Sequence, residues 1–273
     1  MRLPEPPSSL SLAVANLTAQ VDGVQLLDHV SFEVPAGGSL SIVGPVGSGK
    51  SALMWAINRL LDEVPGAHVD GRILVAGVDI TQVASRVLRR RVGLLIPTPL
   101  ARTPFDEIAL SLRGLSREEI GEQTERVLRL VGLWHEMRDR LRRPYNVNNP
   151  VTLRLMALAR ALATSPGLLL LDDPTRGLDS IGRARFEDTV MAATAAGTMT
   201  LLWATREPDQ AGRVAKHMAF LCCGKIIETG PTESLFERPK DPRTESFLTG
   251  NYKRLLSLVS RSSSQDLSGG RNS

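Results

Sequence analysis

The sequence predicts an α/β fold built around a parallel sheet, on three observations. Short apolar runs with strand periodicity alternate with amphipathic helical stretches along most of the chain. A glycine-rich loop, Gly44-Pro45-Val46-Gly47-Ser48-Gly49-Lys50-Ser51, follows one apolar run and opens a helical one. A second run, Leu168-Leu169-Leu170-Leu171, is apolar throughout, as a parallel strand covered on both faces must be, and ends in Asp172 and Asp173.

Taken in order, Leu12 to Leu17, Val30 to Val34 and Ser39 to Val43 read as strands. A helical stretch runs from Ser51 to about Leu61. Residues 72–80 read as a strand pair around Ala76-Gly77. From 117 to 133, Ile120, Val127, Leu130 and Val131 recur among charges at helical spacing. A further helix is expected from about Pro150 to Thr164, and Met199–Trp203 and Met218–Cys222 are two more strands. The sheet is therefore interrupted by a mostly helical insertion at about 96–164. Residues 1–10 read as an N-terminal tail and 11–254 as the folded domain. Residues 255–273 read as a Ser/Gly-rich tail expected to be disordered.

A chain of 273 residues suits one large α/β domain. Its 42% hydrophobic and 23% charged residues exclude global disorder. The net charge of +4 comes from 33 basic and 29 acidic side chains that are interspersed. The one cluster, Arg89-Arg90-Arg91, is short and reads as a solvated face, so nucleic acid is not an expected partner. Cys222 and Cys223 are adjacent, with no C-x-x-C spacing or His cluster, and read as buried thiols in a reducing compartment. No apolar run approaches the ~18 residues of a membrane span, and the N-terminus lacks the apolar core of a signal peptide. A cytoplasmic location is expected, with any membrane association made through a partner.

The loop at 44–51 matches G-x-x-x-x-G-K-S/T in full. Its glycines let backbone N–H groups turn inward around a phosphate, and the helix start adds partial positive charge. Lys50 would reach the β- and γ-phosphates of a nucleotide, and the Ser51 hydroxyl would ligate Mg²⁺. The bland alternative is a glycine-rich turn that happens to precede a helix. Asp172 and Asp173 sit at the carboxyl edge of their strand, where ligands of open α/β sheets bind. With the loop upstream, Asp172 reads as a Mg²⁺ residue and Asp173 as the carboxylate that polarises water, rather than as a polar strand cap.

Pro174-Thr175-Arg176-Gly177-Leu178-Asp179 follows directly. Together with the loop and Ala159-Arg160-Ala161-Leu162, it resembles the ATPase subunit of ABC transporters over about residues 11–254. Finer features resemble the phosphate-importer branch: Arg89 to Gly93, Thr98-Pro99, Asp106 to Ala109, Glu228 to Glu233, and Pro239 to Glu245. The resemblance implies a P-loop NTPase of ABC-ATPase type. Such a fold has a parallel-sheet core, an antiparallel β subdomain and a helical subdomain inserted at about 96–164. It implies ATP and Mg²⁺ as ligands, held by Gly44, Pro45, Val46, Gly47, Ser48, Gly49, Lys50, Ser51 and Asp179, with Ser51 and Asp172 at the metal. It implies membrane-spanning permease subunits and a second ATP-binding subunit, identical or different. The chain would then lie on the inner face of the plasma membrane. In this family ATP lies between the phosphate loop of one subunit and a Leu-Ser-Gly-Gly-Gln signature of the other.

The chain departs from that pattern at five places. The signature position holds Asn148-Asn149-Pro150-Val151-Thr152. Pro150 has no N–H to donate and Val151 adds bulk, although Asn followed by Pro remains a good helix start. Pro97 stands where the family has glutamine, in a loop about two residues shorter. Asp173 replaces the catalytic glutamate, one methylene shorter, and a displacement of ~1 Å can cost about a hundredfold in rate. Arg206 replaces a histidine, and arginine only donates. Val21 replaces the aromatic residue that stacks on adenine. A string similar to the signature, Leu267 to Arg271, lies too close to the C-terminus to start a helix facing a partner's ATP and reads as coincidence.

Two functions follow. The first is an importer subunit coupling ATP binding and hydrolysis to transport of phosphate, with hydrolysis impaired at Asp173 and Arg206. The second is a nucleotide-binding subunit with little or no hydrolysis that acts as a structural partner or regulator. A soluble ABC protein acting on nucleic acid is weaker, because neither a second cassette nor a long coiled-coil insertion is present.

Overall fold

The computed structural model describes residues 3, 8–145 and 148–268. Strands β1 (Leu12–Val21) and β2 (Val24–Val34) form a hairpin. Its loop, Asp22-Gly23, has φ of 50° and 78°, the type I′ geometry that matches strand twist. Then come β3 (Ser39–Val43), the glycine-rich loop, α1 (Lys50–Ile57), β4 (Ala67–Val75), β5 (Val78–Asp79), α2 (Ser85–Arg91) and β6 (Val92–Leu95). Helices α3 (Pro104–Ala109), α4 (Arg117–Leu130), α5 (Trp134–Met137) and α6 (Pro150–Leu162) precede β7 (Leu168–Asp172). The chain continues through α7 (Ser180–Thr194), β8 (Thr200–Thr205), α8 (Pro208–Val214), β9 (His217–Cys222) and β10 (Lys225–Pro231). It ends in α9 (Thr232–Glu237), α10 (Pro242–Leu248) and α11 (Tyr252–Ser268).

The strands form two sheets. One is antiparallel, in the order β2-β1-β4-β5. The other runs β10-β9-β3-β8-β7-β6, parallel except for β10 on its edge. Because side chains alternate across a strand, the buried strands β7 and β8 serve two cores. Leu168, Leu170, Leu202 and Ala204 face the core shared with α1 and the antiparallel sheet. Leu169, Leu171, Leu201 and Trp203 face the core built with α4, α6 and α7. A third cluster gathers Met218 and Phe220 of β9 with Leu235, Phe247 and Leu255 from the C-terminal helices.

Several elements differ from the sequence expectation. β1 and β2 extend well beyond the alternating runs, because a register shift near Asn16 (φ 49°) breaks the alternation without ending the pairing. The helix expected to reach Leu61 stops at Ile57. Arg59 turns left-handed (φ 58°) and its guanidinium donates to Ile80 O and Val83 O at 3.2 and 2.8 Å, so tertiary contacts override helix propensity. Residues 8–10 of the expected N-terminal tail are fastened to the sheet. Leu10 is fully buried and its N–H donates to Gly167 O at 3.0 Å. Residues 255–268 of the expected disordered tail belong to α11, which docks through buried Leu255. Residues 269–273, with most of the signature-like string, lie outside the described residues. Cys222 is buried as expected, but Cys223 is exposed because it occupies a hairpin corner. Among the described residues no helix is long and apolar enough to cross a membrane.

Candidate functional site

The site forms where β3, β7 and β8 end side by side. β3 runs into Gly44, where a Cβ would stand 2.0 Å from Leu221 O and 2.9 Å from Ser48 Oγ, so only glycine lets the loop pass this close to β9. Gly49 has φ 106°, and a Cβ there would lie 2.5 Å from Leu26 O. α1 therefore starts at Lys50 without a side-chain cap, leaving the positive end of the helix to the loop. The Lys50 ammonium folds back and donates to Gly44 O and Pro45 O at 2.8 Å each and to Ser48 Oγ at 3.1 Å. Burial pulls its pKa down to about 8, against the upward pull of Asp172 and Asp173 and with a downward push from Arg206.

Asp172 ends β7 in register with Ala204 of β8. Burial raises its carboxyl above the ordinary range; a hydrogen bond from Ser51 opposes this, Asp173 adds to it, and Lys50 opposes it. Asp173 lies just past the strand at φ 45°, with its N–H on Ala204 O at 2.9 Å. Arg206, just past β8, donates from Nε to Asp173 Oδ2 at 2.9 Å. The two side chains remain 37% and 20% exposed, so the pair faces the cleft rather than the core. The cleft holds about 790 Å³. The phosphate loop, Asp172, Asp173 and Arg206 line it, with Val21, Leu26 and Trp55 among its apolar walls.

Pro97 lines the same cleft, in a loop that α3 and α6 hold in place. Buried Glu107 and Arg160 form an ion pair. Glu107 accepts from Leu100 N at 3.0 Å and Ala101 N at 2.6 Å, and Arg160 donates to Thr98 O at 3.2 Å and to Ile96 O. Arg154 of α6 also lines the cleft, a residue that the sequence reading missed. It donates to Pro174 O at 2.8 Å, Arg176 O at 3.0 Å and Pro97 O at 3.4 Å. Nothing local in the sequence marks it, because its partners lie twenty or more residues away.

Asp179 and the 148–152 segment do not line this cleft. Asp179 caps α7, accepting from Gly182 N at 2.7 Å. Asn149 caps α6, accepting from Val151 N and Thr152 N at 3.0 and 3.1 Å, with Pro150 as first helical residue. The two helix starts touch, since a Cβ on Gly182 would meet Val151 Cγ2 at 2.5 Å.

A G-x-x-x-x-G-K-S loop between a central parallel strand and a helix, beside a neighbouring strand that ends in two carboxylates, defines a P-loop nucleoside triphosphatase. The ABC transporter family profile matches residues 27–176, more than half of the chain, and the chain belongs to that family of ATPases. It is 34% identical over 249 residues to the phosphate import ATP-binding protein PstB of Aeropyrum pernix, a match covering 88% of this chain and 98% of that protein. It is also 34% identical over 252 residues to the phosphate import ATP-binding protein PstB of Thermococcus kodakarensis, covering 89% of this chain and 98% of that one.

Proposed function

We propose that this chain is the ATP-binding subunit of a phosphate-type ABC importer, coupling ATP binding and hydrolysis to transport through membrane-spanning permease subunits. The observation that carries this reading is the match to phosphate import ATP-binding proteins along nearly their whole length. On this reading the chain works in the cytoplasm on the inner face of the plasma membrane, facing a second ATP-binding subunit.

The residues fit ATP and Mg²⁺. The Ser51 hydroxyl lies beside the Asp172 carboxylate, and these are the oxygen donors that Mg²⁺ takes in such sites. Bound Mg²⁺ supplies positive charge at the phosphate oxygens. Residues 44–51, Pro45 apart, present backbone N–H groups to the phosphates. Lys50 exchanges the loop carbonyls Gly44 O and Pro45 O for phosphate oxygens. Asp172 accepts from Ser51 and holds it at the metal position. Asp173 orients water once Arg206 releases it. Asp179 and the 148–152 segment serve the facing subunit's nucleotide, which agrees with their position away from this cleft.

We assign slow hydrolysis to the isolated chain. Arg206 occupies the Asp173 carboxylate, and the 148–152 segment lacks the donors of the usual signature. The second reading, a subunit that binds nucleotide without turnover, rests on the same Arg206–Asp173 contact. The discriminating experiment is Mg·ATP binding by calorimetry and phosphate release by the purified chain, with Lys50→Ala as background. Binding lost in Lys50→Ala, and turnover above that background in the parent chain, is the expected result. Unchanged binding in Lys50→Ala sinks the loop assignment, and binding without turnover selects the second reading. Uptake of labelled phosphate but not sulfate should fall in cells lacking the chain; equal loss of both removes the phosphate assignment.

A further inference from the structure

Beneath the phosphate loop, the β9–β10 hairpin turns through two residues, Cys223 and Gly224. Their φ values of 51° and 78° belong to a type I′ turn, where Asn-Gly or Asp-Gly is usual. Gly224 N donates to Ser48 O of the phosphate loop at 3.0 Å, and Gly224 O accepts from Asp28 N at 2.9 Å. Just before the turn, Leu221 O packs against Gly44 closely enough to exclude a Cβ. Leu221 and Gly224, on either side of the exposed Cys223, are therefore part of the floor of the loop.

The Sγ atoms of Cys222 and Cys223 stand 3.8 Å apart. Cys222 is buried and Cys223 is exposed. Burial pushes the Cys222 thiol up to about 12, with Cys223 adding to the rise and the Arg243 guanidinium opposing it. Cys223 is thus the thiol that meets reagents from solvent, and Cys222 the second sulfur within reach of it.

We infer that Cys222 and Cys223 form a vicinal dithiol site that a peroxide oxidises to an intrachain disulfide, loosening the phosphate loop. The Cys223 thiolate attacks one peroxide oxygen, the O–O bond breaks, and the departing oxygen leaves as water with the thiol proton. The Cys222 sulfur then attacks the sulfenic sulfur. The S–S bond forms, and the sulfenic hydroxyl leaves with the Cys222 proton as a second water. Two thiols and one peroxide give one disulfide and two waters, with two electrons passing from sulfur to oxygen.

Neighbouring Cα atoms are ~3.8 Å apart, below the ~4.4–6.8 Å usual for a disulfide. Rotation within the turn cannot lengthen that separation; it can only bring the Sγ atoms in from 3.8 Å to bonding distance, so the turn changes shape and the disulfide stays strained. Cys222 is buried and paired with Lys225, so the change falls on Cys223-Gly224 and breaks the Gly224–Ser48 hydrogen bond. A strained disulfide of this kind is readily reduced, so the change is reversible.

The test treats the full reduced chain with hydrogen peroxide and follows intact mass, amide exchange at residues 44–51, and Mg·ATP affinity. The affinity readout rests on the ATP-binding reading; the mass and exchange readouts do not. The expected result is loss of two hydrogens mapped to 222–223, with faster exchange in the loop. Affinity should weaken by about tenfold, and dithiothreitol should reverse all three changes. Cys223→Ser, at an exposed position, should bind ATP normally and show none of them. Two free thiols after peroxide overturn the site, as does Cys223 oxidised further without a disulfide. A disulfide with unchanged loop exchange overturns the coupling. If the reduced chain binds no ATP, the ATP-binding reading fails while mass and exchange still decide the thiol site.

Discussion

The charges in the cleft are arranged as a set of stored contacts. Lys50 is held by Gly44 O and Pro45 O, and Asp173 by Arg206, so each must change partner for the site to act. If Arg206 restrains Asp173, then Asp173→Glu combined with Arg206→His should raise steady-state phosphate release about a hundredfold over the parent chain, the low end of general-base effects. No gain would place the defect in the 148–152 segment. Lys50 gives a pH dependence with a definite sign. Its pKa falls from the ordinary 10.5 to about 8 in the fold, so the unfolded chain binds more protons between those values. The cost of burying the ammonium is fully present below about pH 8 and is relieved as pH rises through this window. Phosphate binding favours the charged form, so Mg·ATP affinity should be full below about pH 8 and up to about tenfold weaker one unit higher. Calorimetry in buffers of different ionisation heat should find proton uptake above pH 8; an affinity flat across the window would refute the shift.

At the scale of elements, the Pro97 loop is a fastened strap rather than a free segment. Glu107 of α3 takes the N–H groups of Leu100 and Ala101, and Arg160 of α6 takes the carbonyls of Ile96 and Thr98. Since α6 begins at the altered signature segment, this pair links that segment to one wall of the cleft. Removing one partner leaves an uncompensated buried charge. Glu107→Ala should cost about 3–5 kcal/mol, read as a lowered urea midpoint. A loss below about 1 kcal/mol would show that water or a neighbour replaces the carboxylate. The helix starts follow the same economy. Asn149 and Asp179 each satisfy N–H groups in the first turn of their helices, so both positions keep a structural task whatever they contribute to nucleotide.

Across the whole molecule, the parallel sheet is covered by three clusters, and the C-terminal helices close the third. Phe247 stacks on Phe220 of β9 at 5.0 Å, Tyr252 meets Phe247 edge-on at 6.1 Å, and buried Leu255 belongs to the same cluster. β9 is also the strand that supports the phosphate loop from below, so this end of the molecule is continuous with the site. Ending the chain after Gly250 should lower stability by about 2–3 kcal/mol, the worth of one buried leucine and its aromatic neighbour. Mg·ATP affinity should be unchanged. A large affinity loss would mean that α11 braces the site and does more than cover a core.

The sequence by itself determined the phosphate loop, the apolar strand ending in Asp172 and Asp173, the cap at Asn149-Pro150, and the α/β class. Each of these depends on residues a few positions apart, and local chemistry is legible at that range. Tertiary structure alone decided that Arg206 bonds to Asp173, that Arg154 enters the cleft, and that Glu107 and Arg160 pin the Pro97 loop. Apart from the bonds of Glu107 to Leu100 and Ala101, those contacts join residues twenty or more positions apart, and only the packing of strands and helices brings them together. It also decided that α1 ends early, at Ile57, and that residues 255–268 of the Ser/Gly-rich tail belong to a helix. In both places tertiary contacts, Arg59 with the β5 region and Leu255 in the cluster that includes Phe220 of β9, outweigh a local preference worth only about 0.5–1 kcal/mol per residue.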